Sequence, residues 1–362
     1  MQIELPISKS IANRLLILQA IHGDGLMTVS CDMPDDVRIM SEAIRLLGER
    51  REARIDLGNC GTAMRFLTAY CAQLEGQTVI LDGVERMHHR PIGQLVDALR
   101  EIGADIAYLG EEGFPPLRIK GCILDKHRIV TLNNPQSTQF VSALLLIGAN
   151  VQTNSTSPYI TLTKEMIWNK EQGTKNKDKL VTTNQTQVTS LGSLLLAPYS
   201  EIERDWSAAA FWYEYVALYG GKITLPCLFR DSLQGDKVVA DIFAHLGVST
   251  QYTEEGIVIY SSPLHPTPYT LHQDFASCPD LYPAVALTCE RLGIELHATG
   301  TESLPIKESD RLRAVREHRT DHDHRMAMAL LIAGYEVDDT ACISKSYPHF
   351  LEEWTKVIRS HE

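Results

Sequence analysis

Six stretches of the chain repeat one pattern of apolar and polar positions. Each starts with polar or charged residues, continues as an apolar segment rich in small residues, and reaches a glycine or turn before a short apolar run. This pattern predicts helices that are each followed by a strand. The predicted helices span 10–21, 62–73, 138–147, 207–218, 279–292 and 325–333, and the predicted strands lie at 26–30, 78–83, 149–153, 220–226, 293–300 and 334–340.

A second, more amphipathic kind of helix lies between these stretches, with apolar residues at helical spacing before Gly48, Gly103 and Gly247. Residues 95–121 and 237–261 align as helix, glycine, strand, Glu-Gly turn and strand. This order predicts a βαβαββ unit that occurs six times, three in each half of the chain. The alternative is that helices and strands simply alternate, as they do in any α/β protein. Chance alternation, however, rarely places a Glu-Gly turn at matching positions.

Two copies of the unit are irregular. In the third, residues 169–190 are polar and poor in hydrophobic residues, which predicts a mobile loop or a poorly ordered edge. The fifth ends after 310–318 and continues directly into the sixth, so a helix and a hairpin are missing near 314–320.

Composition narrows the class of protein. The chain has 362 residues, of which 44% are hydrophobic and 22% charged, and a formal net charge of −12. The negative charge disfavours nucleic acid and acidic membranes as partners. Eight scattered cysteines without a CxxC pair indicate reduced thiols, the apolar runs are too short to span a bilayer, and no signal peptide is visible. We therefore expect a cytoplasmic protein.

Polar and cationic residues collect where the predicted helices begin. In residues 5–14 a short apolar strand (Ile3, Leu5, Ile7) leads through Ser8, Lys9 and Ser10 into a helix that carries Arg14. A helix N-terminus favours anions, and nearby cations strengthen that preference. The other residues of this kind are Asn59, Thr62, Arg65, Arg90, Ser137, Thr138, Gln139, Asp205, Ser207, Asp280, Lys307, Glu308, Asp310, Arg311, His324, Arg325 and Lys345.

Taken singly, nearly all of these residues are better explained as parts of capped turns or of a solvated surface. Together, in an acidic chain, they predict a site for small polyanions in a cleft between the two halves. No metal site is expected, because residues 321–325 with His318, and the pair His88 and His89, lack the ligand set of a zinc site. No cofactor is expected either.

Ten motifs, in order along the chain, resemble those of the 5-enolpyruvylshikimate-3-phosphate synthase family of enolpyruvyl transferases. They extend from Leu5 to Phe350, so the resemblance covers nearly the whole chain. The motifs are LPISKSIANR, GNCGTAMRFLTA, RPIGQLVDALREIGA, STQFVSALLL, SPYITLT, SLQGD, PD at 279–280, IKESDRL, DHRMAMA at 323–329 and SKSYPHF.

The resemblance implies an α/β fold of two inverse domains, each of three βαβαββ repeats, with an active-site cleft between the domains. Residues 9–203 would form the domain with repeats 1–3 on the shikimate 3-phosphate side. Residues 1–8 and 204–362 would form the domain with repeats 4–6. A monomer is expected.

The resemblance also implies a reaction. The enzyme would transfer the enolpyruvyl group of phosphoenolpyruvate to the 5-hydroxyl of shikimate 3-phosphate and release phosphate. Addition needs a group that removes the hydroxyl proton and one that protonates C3 of phosphoenolpyruvate. We assign the first role to Asp280 and the second to Glu308, and expect Lys9 to neutralise the departing phosphate.

The binding residues follow by matching position. Shikimate 3-phosphate would be held by Lys9, Ser10, Arg14, Ser137, Thr138, Gln139, Thr156, Tyr159, Asp280 and Lys307. Phosphoenolpyruvate would be held by Lys9, Asn59, Gly61, Arg90, Gln139, Arg311, Arg325 and Lys345. Thr138 and Thr156 stand where the family usually has serine, and Cys60 and Phe66 also depart from its pattern.

Two alternatives remain open at the level of sequence. One is a non-catalytic or weakly active relative that binds shikimate 3-phosphate, which the interrupted fifth repeat favours. The other is a UDP-N-acetylglucosamine enolpyruvyl transferase, which would carry a reactive cysteine where this chain has residues 85–89, ERMHH.

Overall fold

The computed structural model describes residues 1–176, 202–262 and 269–359. The chain forms two compact units. Unit 1 consists of Met1–Lys9, Ser30–Asp35 and Glu203–Glu362, and unit 2 of Ser10–Val29 and Asp36–Ile202. Both units mix helices with strands, as an α/β fold requires.

Unit 2 is built around a four-stranded sheet. The sheet has the order β1-β2-β4-β3, in which β1 and β2 are parallel and β4 is antiparallel to both of its neighbours. A separate parallel pair is formed by β5 and β6. The strands are β1 (Glu52–Asp56), β2 (Thr78–Asp82), β3 (Asp105–Tyr108), β4 (Leu117–Lys120), β5 (Ile129–Thr131) and β6 (Asn150–Gln152).

Alternating apolar residues fix which face of this sheet is buried. Val79 and Leu81 of β2 and Leu117 and Ile119 of β4 are buried, while the residues between them are half-buried or exposed. Successive side chains of a strand point to opposite faces, so one face packs against helices. The helices are α1 (Lys9–His22), α2 (Asp35–Glu49), α3 (Gly61–Ala72), α4 (Gly93–Glu101), α5 (Thr138–Leu146) and α6 (Pro158–Asn176).

Unit 1 is organised around an apolar helix, α7. Its residues from Trp206 to Val216 are all buried, as expected for a helix that is hydrophobic on every side. Aromatic side chains such as Trp212, Phe243 and Phe350 are fully buried in the same core. The helices are α7 (Trp206–Tyr219), α8 (Val239–Ala244), α9 (Tyr282–Leu292), α10 (Arg311–Glu317), α11 (His324–Ala333) and α12 (Phe350–Arg359).

Two small sheets complete unit 1. One has the order β7-β9-β8 with antiparallel neighbours, and the other is the parallel pair β10 and β11. The strands are β7 (Lys222–Pro226), β8 (Val248–Tyr252), β9 (Gly256–Ser261), β10 (Thr270–Asp274) and β11 (Glu295–Thr299).

The apolar pattern predicted the helices better than the strands. The six predicted helices are confirmed, the fifth as a short 3-10 turn at Pro279–Leu281 that continues into α9. The predicted strands at 26–30 and 334–340 are wrong, because neither segment has a strand beside it to pair with among the described residues. The N-terminal strand is reduced to single bridges at Gln2 and Ile7.

The irregular repeats take definite forms. Residues 169–176 form the end of helix α6, so the prediction of a loop is wrong for these residues. Residues 177–190 lie outside the described residues. In the fifth repeat only residues 318–323 connect α10 to α11. His318, Asp321 and His322 turn this short connection with positive φ angles of 50°, 45° and 59°. Within the described ranges no helix is long and apolar enough to cross a membrane.

Candidate active site

Helix beginnings in unit 1 bring charged residues together around Asp280. Asp280 lies in the 3-10 turn that precedes α9, Arg311 is the first residue of α10, and Arg325 is the second of α11. The Asp280 carboxylate lies 2.7 Å from Arg311 Nη1, 2.9 Å from Arg325 Nη2 and 3.7 Å from Lys307 Nζ. Burial raises the pKa of Asp280, but the charges of Arg325, Lys307 and Arg311 outweigh it and hold the pKa well below its ordinary value.

Asp323 holds Arg311 in place from the other side. Its carboxylate accepts from Arg311 Nε at 2.8 Å, from Ser309 Oγ at 3.1 Å and, as the N-cap of α11, from the backbone N–H of Arg325 at 2.9 Å. Both Asp323 and Arg311 are almost completely buried. One carboxylate therefore binds the guanidinium of Arg311 and caps the helix that carries Arg325.

Glu308 forms a second centre beside the first. Its two oxygens lie 2.9 Å from Lys345 Nζ and 2.8 Å from His324 Nδ1. Burial acts to raise the pKa of Glu308, but His324 and Lys345 hold it well below its ordinary value. Burial lowers the pKa of His324, so this imidazole is neutral near pH 7, and its buried Nε2 has no hydrogen-bond partner.

Lys9 reaches the same region from the start of α1. Its backbone N–H donates to Asp205 at 3.2 Å, and Asp205 also caps α7 by accepting from the N–H groups of Ser207 and Ala208. The positive charge of Lys9 lowers the pKa values of Asp280 and Glu308. We call Lys9, Asp280, Lys307, Glu308, Arg311, Asp323, His324, Arg325 and Lys345 the carboxylate cluster.

Three members of the carboxylate cluster resemble a metal site in composition. Ligand atoms of Glu308, Asp323 and His324 lie within 4.8 Å of one another. Arg311 already binds Asp323, and Lys345 already binds Glu308, at 2.8 and 2.9 Å. Cations that are part of the protein therefore occupy these carboxylates, and the arrangement fits an ion-pair network better than a metal centre.

In unit 2, Arg90 lies against the beginning of α3. Its Nη1 is 3.3 Å from the backbone oxygen of Asn59 and 3.5 Å from the Asn59 side chain, and its buried Nε has no hydrogen-bond partner. A Cβ atom at Gly61 would lie 2.4 Å from Arg90 Nη2. Glycine at this position thus allows the guanidinium to approach the helix N-terminus, where an anion would also bind.

Arg14 is the most deeply buried cation of unit 2. Its guanidinium donates to Thr163 Oγ1 at 2.8 Å, to Ser142 Oγ at 3.0 Å and to the backbone oxygen of Ser10 at 2.8 Å. All three acceptors are neutral, and burial lowers the pKa of Arg14 to about 10. The charge is thus stabilised by dipoles, without a carboxylate among these acceptors.

Aromatic rings complete the surroundings of Arg14. The guanidinium carbon lies 5.2 Å from the centre of the Phe66 ring and 5.7 Å from that of Tyr159, both within the range of a cation–π contact. The departure at Phe66 from the family pattern thus adds a ring face beside Arg14. Thr156, two residues before α6, is exposed.

Gln139 connects two further helix beginnings. Its side-chain oxygen accepts from Arg65 Nη1 at 2.8 Å, and its nitrogen donates to Thr62 Oγ1 at 2.9 Å. Ser137 caps α5 by accepting from the Gln139 backbone N–H at 3.3 Å, and Thr138 is the first helical residue. Burial and the charge of Arg90 lower the pKa of Arg65 to about 9.

The predicted site residues therefore form two sets. Unit 1 contains Lys9, Asp280, Lys307, Glu308, Arg311, Arg325 and Lys345, and unit 2 contains Ser10, Arg14, Asn59, Gly61, Arg90, Ser137, Thr138, Gln139, Thr156 and Tyr159. The sequence placed Arg65 and His324 among the polar residues at helix beginnings but gave neither a role in the site, and it did not select Asp323, although that residue lies in the DHR motif.

Comparisons with known proteins agree with this architecture. The family model described as EPSP synthase (3-phosphoshikimate 1-carboxyvinyltransferase) matches residues 49–318 and 316–354. The match divides where the fifth repeat is interrupted. A 3-phosphoshikimate 1-carboxyvinyltransferase of Bacteroides fragilis is 38% identical over 401 residues, which cover 98% of this chain and 94% of the relative.

More distant relatives match over the same length. The enzyme of that name from Colwellia psychrerythraea is 28% identical and covers 98% of this chain and 96% of its own. The solved structure of EPSP synthase from Acinetobacter baumannii superposes with a TM-score of 0.65 at 19% identity, covering 98% of this chain and 95% of that one, which shows a shared fold. The family model and the relative at 38% identity show that this chain belongs to the EPSP synthase family.

Proposed function

We propose that this chain transfers the enolpyruvyl group of phosphoenolpyruvate to the 5-hydroxyl of shikimate 3-phosphate, with release of phosphate, through the carboxylate cluster of unit 1. The observation that carries the proposal is the pair of ionised carboxylates, Asp280 and Glu308, each bound by cations. The reaction needs two groups that exchange protons and positive charge for two phosphate-bearing substrates, and the cluster supplies two carboxyl groups and several cations.

Anion binding is the first task of the cluster. Arg311 and Arg325 are held rigidly by Asp280 and Asp323, so their guanidinium groups are oriented before a substrate arrives. Guanidinium groups bind carboxylate and phosphate oxygens in pairs. We assign phosphoenolpyruvate to these two arginines and Lys345, with Arg90, Asn59, Gly61, Gln139 and Lys9 as further contacts.

Asp280 is the proposed acceptor of the hydroxyl proton. In the structure its ion pairs make it a weak base, because three cations stabilise the ionised form. A bound phosphate shares the charge of Arg311, Arg325 and Lys307, which raises the proton affinity of Asp280. The carboxylate would thus become an effective base only when substrate is present.

Glu308 is the proposed donor of the proton to C3 of phosphoenolpyruvate. As for Asp280, substrate binding would raise the proton affinity of this carboxylate. A substrate anion that binds Lys345 weakens the ion pair with Glu308 and leaves Glu308 beside the neutral ring of His324. Protonation of Glu308 then costs less, and elimination returns the proton from C3 to the same carboxylate. Lys9, whose charge already reaches both carboxylates, would neutralise the departing phosphate.

The unit 2 set is the proposed site for shikimate 3-phosphate. Ser137, Thr138 and Gln139 present hydroxyl, amide and backbone groups at the N-terminus of α5, where a phosphate is favoured. Arg14 supplies a cation whose present acceptors are neutral and whose guanidinium carbon lies 5.7 Å from the centre of the Tyr159 ring. Ser10, Thr156 and Tyr159 are assigned to the same site. Lys307 and Asp280 would complete the contacts from unit 1.

Phosphate release is the experiment that tests the function. The purified chain is given both substrates together, and each substrate alone as a control. Release only with both substrates supports the transferase. Tight binding of shikimate 3-phosphate without any release would instead favour a non-catalytic relative.

A transferase for UDP-N-acetylglucosamine is the weaker alternative. Residues Glu85–His89 form a 3-10 helix without a cysteine, so the expected reactive thiol is missing from that segment. Release of phosphate with UDP-N-acetylglucosamine in place of shikimate 3-phosphate would support this alternative.

The proposal also includes the repeats and domains of the chain, its oligomeric state, its location and its partners. The division into six repeats, with residues 9–203 and residues 1–8 plus 204–362 as domains, is supported by the complete βαβαββ order from β1 to β4. A location in the cytoplasm without nucleic-acid or membrane partners is supported by the net charge of −12 and eight free cysteines. A monomer is proposed from the family resemblance alone.

A further inference from the structure

Strand β11 has one edge that no strand covers in the described part of the chain. On its other side it pairs with β10, and these two strands form a sheet of their own. The second repeat contains an equivalent parallel pair, β1 and β2, but there β4 lies on the far side of β2. The edge of β11 is therefore open at a position that the complete repeat fills with an antiparallel strand.

The two strand pairs correspond closely. Each strand has five residues, and the pairs have matching parallel registers. In both pairs the residue that follows the first strand donates its N–H at 2.9 Å to the last carbonyl of the second, Leu57 to Asp82 and Phe275 to Thr299. Helix α10 follows β11 as α4 follows β2, but residues 318–323 then lead directly to α11 where the complete repeat has β3 and β4. The interrupted repeat thus lacks the strand that would cover β11.

The register fixes which backbone groups face the open edge. In a parallel pair, alternate residues direct both their N–H and C=O groups to the neighbouring strand. The carbonyl of Thr299 faces β10, so Leu296 and Ala298 direct their backbone groups away from β10. Val79 and Leu81 hold the same positions in β2, where β4 pairs with them.

The open edge also leaves apolar side chains partly exposed. Val79 and Leu81 are 1% and 0% exposed, whereas Leu296 and Ala298 are only half-buried. Outward N–H and C=O groups beside apolar side chains make an edge strand a template for pairing with another chain. What the edge of β11 takes, by comparison with the second repeat, is an antiparallel strand.

We propose that β11 pairs with β11 of a second copy of this chain, in an antiparallel arrangement centred on His297. A two-fold axis across the edge makes the strand antiparallel to its copy, which is the direction that β4 takes beside β2. His297 is the middle residue of β11, so pairing centred there places Leu296 opposite Ala298 of the second copy, and Ala298 opposite its Leu296. Both residues face outward, so each of these pairs exchanges both N–H···O bonds.

The side chains of the exposed face are compatible with this pairing. Glu295 would lie opposite the neutral Thr299 of the second copy and diagonal to its His297, so no like charges are directly opposed. Within one copy, His297 Nε2 lies 3.1 Å from Glu295 Oε1, and the His297 ring stacks on His272 with centroids 4.9 Å apart. Each His297 would therefore lie between the carboxylates of both copies.

This dimer goes beyond the proposed function and does not depend on it. It also departs from the monomer that the family resemblance implies. That resemblance implies three complete repeats in each domain, whereas the fifth repeat of this chain is interrupted.

Sedimentation of the purified chain from about 1 to about 200 µM tests the inference. Pairing along one short edge belongs with small, transient interfaces, so we expect a dissociation constant of about 10 µM and a change from the mass of one chain to that of two. A chain that stays monomeric over the whole range overturns the inference.

Hydrogen exchange of the unmodified chain locates the contact. A peptide that contains β11 should exchange more slowly in the concentrated sample than in the diluted one, because pairing protects the outward amides. A peptide that contains β4, whose residues are already paired, should not change. Exchange in β11 that is independent of concentration would exclude this edge as the contact.

Substitutions at the two-fold axis test the register. His297→Glu places like charges directly opposite each other, so it should weaken the dimer about fivefold or more. A mixture with His297→Lys sets opposite charges against each other and should associate more tightly than either variant alone. His127→Glu, the same change at an exposed position outside β11, is the matched control and should dimerise as the wild type does.

Two outcomes with these variants would contradict the pairing centred on His297. One is an unchanged dimer in His297→Glu, and the other is a mixture that associates no better than its components. Circular dichroism checks that each variant is folded. If the variants do not fold, the exchange of the unmodified chain decides the question.

Discussion

The Cβ atom that Gly61 lacks would lie 2.4 Å from Nη2 and 2.6 Å from the central carbon of the Arg90 guanidinium. Arg90 is 7% exposed and lies against the first turn of α3, where backbone N–H groups are available to an anion. The glycine and the arginine thus form one structural feature, in which the absence of a side chain permits the cation to lie at the helix N-terminus.

Replacement of Gly61 by alanine should displace Arg90. Since φ at this helical position is ordinary, the added methyl group clashes with the guanidinium without straining the backbone. We expect KM for phosphoenolpyruvate to rise by about tenfold, equivalent to about 1.4 kcal/mol, with a smaller effect on KM for shikimate 3-phosphate. Steady-state kinetics with each substrate varied will measure this, and Gly48→Ala, at a helical site with open space and an ordinary φ, controls for the substitution itself.

Replacement of Asp280 by asparagine should nearly abolish turnover and spare substrate binding. The amide keeps the size of the carboxylate but cannot accept the hydroxyl proton, so we expect kcat to fall by at least about 100-fold. Binding of shikimate 3-phosphate by calorimetry checks that the site is intact. The exposed Asp97, whose carboxylate lies 3.9 Å from Arg100, provides a matched Asp→Asn control. Normal turnover in Asp280→Asn would remove Asp280 from the mechanism.

Replacement of Asp323 by alanine should destabilise unit 1. The change leaves the buried Arg311 without its 2.8 Å partner and removes the N-cap of α11. Because Asp280 still binds Arg311 at 2.7 Å, the charge is not left unpaired, and we expect about 1–3 kcal/mol for the lost buried hydrogen bonds and about 1 kcal/mol for the lost cap. Urea unfolding will measure the loss, and Asp323→Asn should recover the part that belongs to the cap. A loss below 1 kcal/mol in Asp323→Ala would contradict the role of Asp323 as the anchor of Arg311.

Replacement of Glu214 by leucine should stabilise the protein, and more so at higher pH. Glu214 is completely buried, neither carboxylate oxygen has a hydrogen-bond partner, and burial raises its pKa well above the ordinary value. A raised pKa in the folded state means that stability falls as pH rises above the unfolded value near 4.5 and stops falling above the folded value. Removing the unpartnered polar group should contribute about 1–3 kcal/mol.

Unfolding of Glu214→Leu and the wild type at pH 5 and pH 8 will measure this difference. The exposed Glu42 provides a control, since Glu42→Leu removes a carboxylate whose partner Arg45 is itself exposed. An equal gain at both values of pH would contradict the raised pKa of Glu214.

The sequence determined the helices and singled out most of the charged residues that the structure brings together in unit 1. Apolar periodicity depends only on neighbours in the chain, so helices such as α3 and α7 were predictable within about two residues at either end. Motifs that combine a helix beginning with cations, such as residues 305–312, placed Lys307, Glu308 and Arg311 in the site.

The tertiary structure decided which strands form and what each charge does. Segments 26–30 and 334–340 have the composition of strands, but in the part of the chain that the structure describes neither pairs with another strand, and a strand needs a partner. Likewise, Asp280, Asp323 and Asp236 are the same residue type in similar turns. Asp280 is surrounded by cations, Asp323 anchors Arg311 and caps a helix, and Asp236 is buried with one hydrogen bond. Their chemistry depends on neighbours distant in sequence, because burial and Coulomb interactions act through space.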